Sequence, residues 1–205
     1  NLPYNNGKRC QICCSPLDIA YGDLYCAHCK KTKRAFAQNV SRYIYKDNVA
    51  EAIKRMKFGK RQLWIADCLG KFLAETIKKS YDNVAFDLVL FVPISKKRLR
   101  EREFNQSEII ADAVCKNLKL PIAKDVLIKP IDIPKQSGLS FEKRKKNVKE
   151  AFKIKNPDCV IDKTILLIDD IFTTGATLNE CAKTLKKVGA AVVFCATIAS
   201  TQLYA

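Results

Sequence analysis

Two adjacent carboxylates and a threonine-rich loop lie close together in the last fifth of the sequence. Asp169 and Asp170 follow an apolar run, and the loop begins three positions after Asp170. The loop consists of Thr173, Thr174, Gly175, Ala176 and Thr177. Two ionised carboxylates side by side repel each other and are costly to bury without partners, so a ligand rich in hydroxyl groups or a divalent cation suits them. The 2′,3′-diol of a ribose meets that demand.

The threonine loop predicts an anion site. It opens an amphipathic helix, whose free N–H groups and dipole favour negative charge, and the threonine hydroxyls add further donors. A diol and a phosphate this close together describe a ribose 5-phosphate unit. The alternative is that Thr173 and Thr174 only cap the helix and the aspartates only end a strand. The ordered combination of apolar strand, carboxylate pair, threonine loop and helix favours the ligand.

Four of the ten cysteines form a second motif near the start of the chain. They make two Cys-x-x-Cys pairs separated by twelve residues, namely Cys10, Cys13, Cys26 and Cys29. This spacing suits a tetrahedral Zn²⁺ site that closes a module too small to fold around a core. Four thiolates leave no position for water, so the zinc is expected to be structural. Two redox pairs are the alternative, but they lack a flanking βαβ pattern. Cys14 and His28 are neighbouring spare ligands, or else a packed thiol and an exposed imidazole.

These motifs need an α/β framework to position them. Residues 1–35 form the predicted zinc module, and residues 36–205 form the second predicted domain. Apolar runs predict strands at residues 40–45, 87–92, 126–128, 165–168 and 191–198, and helical periodicity predicts helices near residues 49–56, 66–77, 109–118 and 178–188. This alternation indicates a mainly parallel sheet with helices on both faces. Asp169 and Asp170 then stand at the carboxyl end of a buried strand, where such sheets bind ligands.

The chain is strongly basic. It has 37 Lys and Arg residues against 21 Asp and Glu residues, a net charge of +16 at pH 7, which favours polyanions such as single-stranded DNA. Two basic runs supply the candidate contacts Arg98, Arg100, Arg102, Arg144, Lys145 and Lys146, and a third lies at residues 54–61. The second run falls within residues 131–149, which are predicted to form a mobile loop. These cations also suit a phosphate ligand, and a solvated surface is the plainest alternative.

Length and composition indicate a soluble globular protein. The chain has 205 residues, of which 48% are hydrophobic and 28% charged. No apolar run approaches the ~18 residues that would span a bilayer, so neither a membrane span nor secretion is expected. Several further cysteines, Cys68, Cys115, Cys181 and Cys195, fall in apolar patterns typical of buried, reduced thiols. That distribution predicts a cytoplasmic protein.

Several stretches resemble a known family. Residues 165–178 resemble the phosphoribosyl pyrophosphate (PRPP) signature of type I phosphoribosyltransferases, and the whole chain is similar to the ComF competence family, in which a cysteine-rich module precedes such a domain. Residues 98–106 resemble that family's Arg-x-Arg-Gly-Phe-Asn-Gln motif, with Glu103 in place of the usual glycine. Residues 136–148 resemble its Gln-x-x-Leu…Arg…Asn stretch. The resemblance implies a type I phosphoribosyltransferase-like fold with a zinc module in front of it.

The resemblance also implies roles for individual residues. Asp169 and Asp170 would be the catalytic pair and hold the ribose hydroxyls, directly or through Mg²⁺, and the threonine loop would cradle the 5-phosphate. Residues 92–96, with Ser95 and Lys96, would lie where such enzymes bind pyrophosphate. A strand ended by proline and followed by solvated lysines is the alternative for this segment.

The family suggests a biological role in DNA uptake and natural transformation. The expected protein binds PRPP and single-stranded DNA in the cytoplasm, with a competence helicase or the uptake machinery as a partner. An alternative is a PRPP-dependent phosphoribosyltransferase of nucleotide or related metabolism, whose acceptor the sequence does not name. A PRPP-sensing regulator is a third hypothesis, but it needs a DNA-reading domain such as a helix-turn-helix, and the sequence suggests none.

Overall fold

The computed structural model describes residues 4–5, 7–17, 23–58, 62–130 and 151–201. The helices in these ranges are α1 (Ala27–Lys31), α2 (Asp47–Phe58), α3 (Leu63–Ser80), α4 (Lys96–Arg102), α5 (Gln106–Leu118) and α6 (Ala176–Lys187). The strands are β1 (Asn39–Ile44), β2 (Leu88–Phe91), β3 (Leu127–Ile128), β4 (Lys153–Ile154), β5 (Thr164–Phe172) and β6 (Val192–Ser200). None of the helices in this part of the chain is long and apolar enough to cross a membrane.

Four parallel strands form the central sheet in the order β1-β6-β5-β2. The two middle strands stay paired along most of their length, up to the pair Phe172–Ser200. The edge strand β2 is shorter, and its last pair with β5 is Phe91–Ile168. The last residues of β5 therefore extend past the end of β2, which leaves a step in the sheet on that side. Strands β3 and β4 form a separate antiparallel pair.

Helices cover both faces of the sheet, as the sequence predicts. Leu166 and Ile168 of β5 pack in one buried cluster with apolar residues of α2, α3 and α5. Ile165 and Leu167, which alternate with them, pack in a second cluster with α6. A Cβ at Gly70 of α3 would lie 2.6 Å from the Cβ of Ala113, so the lack of a side chain lets α3 and α5 approach closely. Each fully buried aliphatic side chain in these clusters contributes about 1.5–3 kcal/mol.

The cysteine module packs against the α6 face of the sheet. Cys10, Cys13, Cys29 and Phe36 belong to the same buried cluster as Phe172 at the end of β5. The backbone N–H of Asn39, at the start of β1, donates to the carbonyl of Ile12 across 2.7 Å. The module and the sheet therefore share buried apolar surface. The predicted domain boundary after residue 35 stays a prediction.

Some elements differ from the sequence prediction. The predicted strand at residues 165–168 runs on to Phe172, because β6 continues alongside and supplies its hydrogen-bonding partners. Helix α4 was not predicted, since Leu99 is its single apolar residue and one residue gives no periodicity. Strand β4 is only two residues long and was missed for the same reason. The predicted mobile loop at residues 131–149 lies outside the described residues.

Candidate ligand site and metal centre

The carboxylate pair lies within β5 at the step left by the shorter β2. Asp169 is paired with Thr197 of β6 on one side, whereas on the other side the ladder with β2 has ended one residue earlier. Asp169 is partly exposed, and Asp170 is buried at 6% exposure. The two carboxylates therefore border the gap beyond β2. The beginning of α5 lies at the same gap.

Helix α5 supplies hydrogen-bond donors to both carboxylates. The Oγ of Ser107 donates to Oδ1 of Asp169 at 3.0 Å, and the Nε2 of Gln106 donates to Oδ2 of Asp170 at 3.3 Å. Both donors lie in the first turn of α5, where the helix dipole also stabilises negative charge. The buried Asp170 carboxylate is thus compensated by an oriented amide and by a helix N-terminus.

Arg102 extends this network from α4. Its guanidinium donates to Oε1 of Gln106 at 3.3 Å, so Gln106 bridges the arginine and Asp170. Burial, together with the nearby charge of Arg98, lowers the pKa of Arg102, while the charge of Asp170 acts in the opposite direction. The arginines predicted to contact DNA or a phosphate ligand therefore have different surroundings. Arg102 joins the carboxylate network, and Arg100 is exposed.

Asn105 fixes the start of α5 against the end of β2. Its Oδ1 accepts from the backbone N–H of Ser107 at 3.1 Å as the helix N-cap, and its Nδ2 donates to the carbonyl of Val92 at 3.0 Å. Asn105, Gln106 and Ser107 were not among the predicted site residues. Asn105 and Gln106 belong to the family motif at residues 98–106, and that motif could have identified them as site residues. Nothing in the sequence singled out Ser107.

The threonine loop connects β5 to α6 through a left-handed glycine. Gly175 has φ 71° and stands immediately before the helix. The Oγ1 of Thr174 accepts from the backbone N–H of Ala176 at 3.3 Å, so Thr174 does have the capping role of the simpler interpretation. Thr173 is exposed, and Ala176 and Thr177 are partly exposed in the first turn of α6. The loop therefore offers helix N–H groups and hydroxyls beside the carboxylate pair, as an anion site requires.

The segment that follows β2 contributes mainly structure. Ser95 is buried and caps α4, because its Oγ accepts from the backbone N–H of Arg98 at 3.4 Å. Lys96 is exposed and lines a cavity of about 480 Å³. That cavity is bordered by Phe91, Pro93, Leu99 and Asn105, so it lies next to the carboxylate network. Arg144, Lys145 and Lys146 lie outside the described residues.

The four cysteine sulfurs of the module fit a metal centre. All four Sγ atoms lie within 4.8 Å of one another, and those of Cys13 and Cys26 are 3.7 Å apart. A tetrahedron with Zn–S bonds of about 2.3 Å has edges of about 3.8 Å, so the spacing suits Zn²⁺. Cys14 is turned away from this group, where its sulfur lies 3.6 Å from the Nδ2 of Asn5. The packed-thiol interpretation of Cys14 is the one that the geometry favours.

Charge balance supports a cation in this centre. Hydrogen bonds with Cys13 and Cys29 lower the pKa of Cys10, whereas hydrogen bonding to Cys10 raises the pKa of Cys13 and raises that of Cys29 to about 12. Among these three thiols, the arrangement therefore favours Cys10 as the thiolate. Four thiolates at neutral pH need the positive charge of a divalent ion among them.

The chain is similar in sequence to several known proteins. Residues 106–202 match the family model of the phosphoribosyl transferase domain. Competence protein F from Haemophilus influenzae is 28% identical over 176 residues, which cover 84% of this chain and 76% of that protein. Competence protein ComFC from Bacillus subtilis is 28% identical over 199 residues, which cover 90% of this chain and 74% of that protein. The chain resembles the ComF family of competence proteins.

A further relative and a solved structure are also similar to this chain. DNA utilization protein YhgH from Escherichia coli (strain K12) is 27% identical over 180 residues, covering 86% of this chain and 78% of that protein. Among solved structures, the glutamine PRPP amidotransferase from B. subtilis, complexed with ADP and GMP, aligns with a TM-score of 0.43 and 20% identity over 64% of this chain and 25% of its own. With the family match and the parallel sheet, the fold is of the type I phosphoribosyltransferase class, preceded by the four-cysteine module.

The family motif at residues 98–106 keeps its backbone shape despite the missing glycine. Glu103 ends α4 in the left-handed region with φ 69°, a conformation that glycine adopts without strain. Its backbone N–H donates to the carbonyl of Leu99 at 2.7 Å, which closes the last turn. This turn leads directly to Asn105 and Gln106. The substitution is therefore accommodated by backbone strain, and the loop that carries Gln106 retains its turn.

Proposed function

We propose that this protein, which resembles the ComF family, acts in DNA uptake and natural transformation and binds PRPP with Mg²⁺ beside the threonine loop. The observation that carries the proposal is the paired anchoring of Asp169 and Asp170 to the first turn of α5, next to that loop. Three residues of chain lead from Asp170 to Thr173, which span at most about 10 Å, the scale of one sugar phosphate. The printed names of the relatives, competence proteins and a DNA utilization protein, support the biological role.

The proposed roles follow from what each group can donate or accept. The ribose hydroxyls donate to the carboxylates of Asp169 and Asp170, and Gln106 and Ser107 orient those carboxylates. Mg²⁺ prefers oxygen ligands and binds through one or two carboxylates together with substrate phosphates, so this pair suits it. The N–H groups at the start of α6 and the hydroxyl of Thr173 bind the 5-phosphate.

Calorimetric titration with PRPP and Mg²⁺ tests this site. The double variant Asp169→Asn/Asp170→Asn is expected to lose at least tenfold in affinity, because amides neither balance a cation nor accept from two hydroxyls as well as carboxylates do. The variant Asp158→Asn/Asp162→Asn is the control, since it removes two exposed carboxylates at the other end of β5. Unaltered affinity in the first variant would refute the site.

Single-stranded DNA is the second proposed ligand, with α4 as the contact surface. Five of the seven residues of α4 are Lys or Arg, and Lys96, Lys97 and Arg100 are exposed. Phosphate contacts of this kind release counterions, so binding is expected to weaken steeply with salt.

Binding of oligo(dT) at several salt concentrations measures this contact. Arg98→Ala/Arg100→Ala is expected to weaken binding and to lower the salt slope by about 1.4, near 0.7 for each contact to a single strand. This variant leaves Arg102 and its hydrogen bond to Gln106 in place. Lys78→Ala/Lys79→Ala removes two exposed cations at the end of α3 and is the control. Equal salt slopes in the two variants would exclude α4 as the DNA contact.

The adjoining cavity favours a second candidate function, phosphoribosyl transfer to an acceptor. Its volume of about 480 Å³ is in the range of small-molecule pockets, and it shares Asn105 with the carboxylate network. Pyrophosphate release from PRPP, measured with a panel of nucleobases and amines, tests this activity. Release above the no-acceptor rate that disappears in Asp169→Asn/Asp170→Asn would support an enzyme. Binding of PRPP without release would leave a binding protein.

A further inference from the structure

A short segment at the end of the zinc module contacts the threonine loop. Residues 32–36 run from α1, which carries the metal ligand Cys29, to the start of β1. Immediately after the segment, the backbone N–H of Ala37 donates to the carbonyl of Val193 of β6 at 2.8 Å. The segment is thus fixed by the sheet at one end and by the cysteine cluster at the other.

Arg34 and Ala35 of this segment hold both sides of the threonine loop. The guanidinium of Arg34 donates to the carbonyl of Thr174 at 2.9 Å. The backbone N–H of Ala35 donates to Oδ1 of Asn179 at 2.8 Å, and the N–H of Asn179 donates to the carbonyl of Gly175. The carbonyl of Thr174 is therefore tied to the module directly, and the carbonyl of Gly175 is tied to it through Asn179.

The hydrogen bond from Arg34 sets the direction of a loop N–H. In a trans peptide the C=O and N–H point in opposite directions. Because Arg34 holds the carbonyl of Thr174 towards the module, the N–H of Gly175 points away from the module. An anion that accepts from the N–H of Gly175 would therefore bind on the side of the loop away from the module. Rotation of this peptide would instead turn a carbonyl dipole towards the anion.

Hydrogen bonding within the module does not explain the position of the Arg34 side chain. Its Nε is buried and has no hydrogen-bond partner among the described residues, which is an energetic cost. The guanidinium lies 5.8 Å from the centre of the Phe36 ring, and that ring packs edge-on against Phe172 below Gly175. The charge is therefore held beside the loop by the Phe36 ring and by the hydrogen bond to Thr174.

We propose that Arg34 is a positioning residue that couples metal binding in the four-cysteine module to anion binding by the threonine loop. With the cysteine cluster closed around its ion, the segment of residues 32–36 is held in place and the loop presents the N–H of Gly175. Without the ion, the segment loses one of its two anchors and the loop peptide is free to rotate. By linkage, an anion in the loop also raises the affinity of the module for zinc.

Three variants test the coupling, which in its ligand-binding part rests on the proposed function. Arg34→Ala removes the hydrogen bond to Thr174, and Arg34→Lys retains a cation with a single donor nitrogen. Lys33→Ala is the matched control, because Lys33 is the adjacent cation and is exposed. We expect Arg34→Ala to bind ribose 5-phosphate and PRPP at least tenfold more weakly than the wild type, Arg34→Lys to recover part of that loss, and Lys33→Ala to stay within about twofold.

Two further readouts separate positioning from general damage to the fold. Zinc content and the urea midpoint of Arg34→Ala should remain close to those of Lys33→Ala. Chelation of zinc in reducing buffer should lower the affinity for ribose 5-phosphate in the wild type but cause a much smaller further loss in Arg34→Ala. Equal losses on chelation in both proteins would overturn the role of Arg34 in the coupling.

Hydrogen exchange keeps this inference distinct from the proposed function. In the absence of any ligand, peptides covering residues 172–180 should exchange at least threefold faster in Arg34→Ala than in Lys33→Ala. If the wild type binds neither ribose 5-phosphate nor PRPP, the proposed function fails, and the exchange rates alone decide the coupling. Equal exchange in Arg34→Ala and Lys33→Ala would overturn it.

Discussion

Substitution of Gly175 by alanine should destabilise the protein through two separate effects at one position. Gly175 has φ 71°, and a left-handed conformation costs an L-residue about 1–2 kcal/mol. A Cβ there would lie 2.4 Å from Cζ and 2.8 Å from Cε2 of Phe172. The ring is fully buried and contacts Phe36, so it cannot move away freely, and overpacking of this kind costs about 1–3 kcal/mol. The expected total is about 2–5 kcal/mol.

Two further variants separate these effects in urea denaturation at constant zinc concentration. Gly189→Ala has the backbone effect alone, because its φ is 101° but the nearest atom to the new Cβ is Ile161 Cγ1 at 3.5 Å. It should therefore cost about 1–2 kcal/mol. Phe172→Leu removes the three ring atoms nearest to Gly175. In that background, Gly175→Ala should cost only about 1–2 kcal/mol, with the difference appearing as a coupling energy in the double-mutant cycle.

The refuting result is an equal cost in both backgrounds. If Gly175→Ala lowered the free energy of unfolding by the same amount in the wild type and in the Phe172→Leu variant, ring contact would not constrain the loop. The glycine would then be required for its backbone conformation alone. A cost below that of Gly189→Ala would contradict the left-handed geometry of the loop itself.

Three other predictions concern the helices, the buried thiols and the metal centre. Lys119→Gly should raise the free energy of unfolding by about 0.5–1 kcal/mol, because Lys119 ends α5 in the left-handed region at φ 56°. Lys116→Gly, within the helix, should lower that free energy by a similar amount, and urea midpoints measure both changes. Burial raises the pKa of Cys115 from 9.0 to about 12, so the unfolded chain loses this proton at a lower pH than the folded protein does. The free energy of unfolding should therefore fall between pH 9 and 12, by at most about 1.4 kcal/mol per pH unit. The fall should be less steep in Cys115→Ala. Cys13→Ser should lower the zinc content and the urea midpoint, whereas Cys159→Ser, at an exposed thiol outside the cluster, should change neither; equal zinc content in both would contradict the metal centre.

The two aspartates of the pair have unequal surroundings despite their adjacent positions. Successive side chains of a strand alternate in direction, so the two carboxylates meet the first turn of α5 through different donors. Asp170 is buried and held by Gln106, whereas Asp169 is partly exposed and bonded to Ser107. The single variants Asp169→Asn and Asp170→Asn therefore need not have equal effects. The buried carboxylate also serves the packing between β5 and α5.

The alternating pattern of the chain was sufficient to predict the architecture. Strands β1, β2 and β6 lie within one or two residues of their predicted bounds, because apolar runs are long enough to identify buried strands. Short elements escaped prediction. Helix α4 and strand β4 contain too few apolar residues for a period, and the pairing of β6 with the end of β5 extended a strand through two charged residues, where composition alone argues against one.

The sequence by itself determined those parts of the site whose members are neighbours in the chain. The carboxylate pair and the threonine loop are a few residues apart, and each Cys-x-x-Cys pair closes within one turn, so covalent bonds already keep their groups close. The tertiary structure alone decided which partners complete them. Gln106 reaches Asp170 across 64 positions, and Arg34 reaches Thr174 across 140. No local pattern encodes such contacts, because they arise only when the sheet sets the order of its strands and brings α5 and the module to the ends of β5.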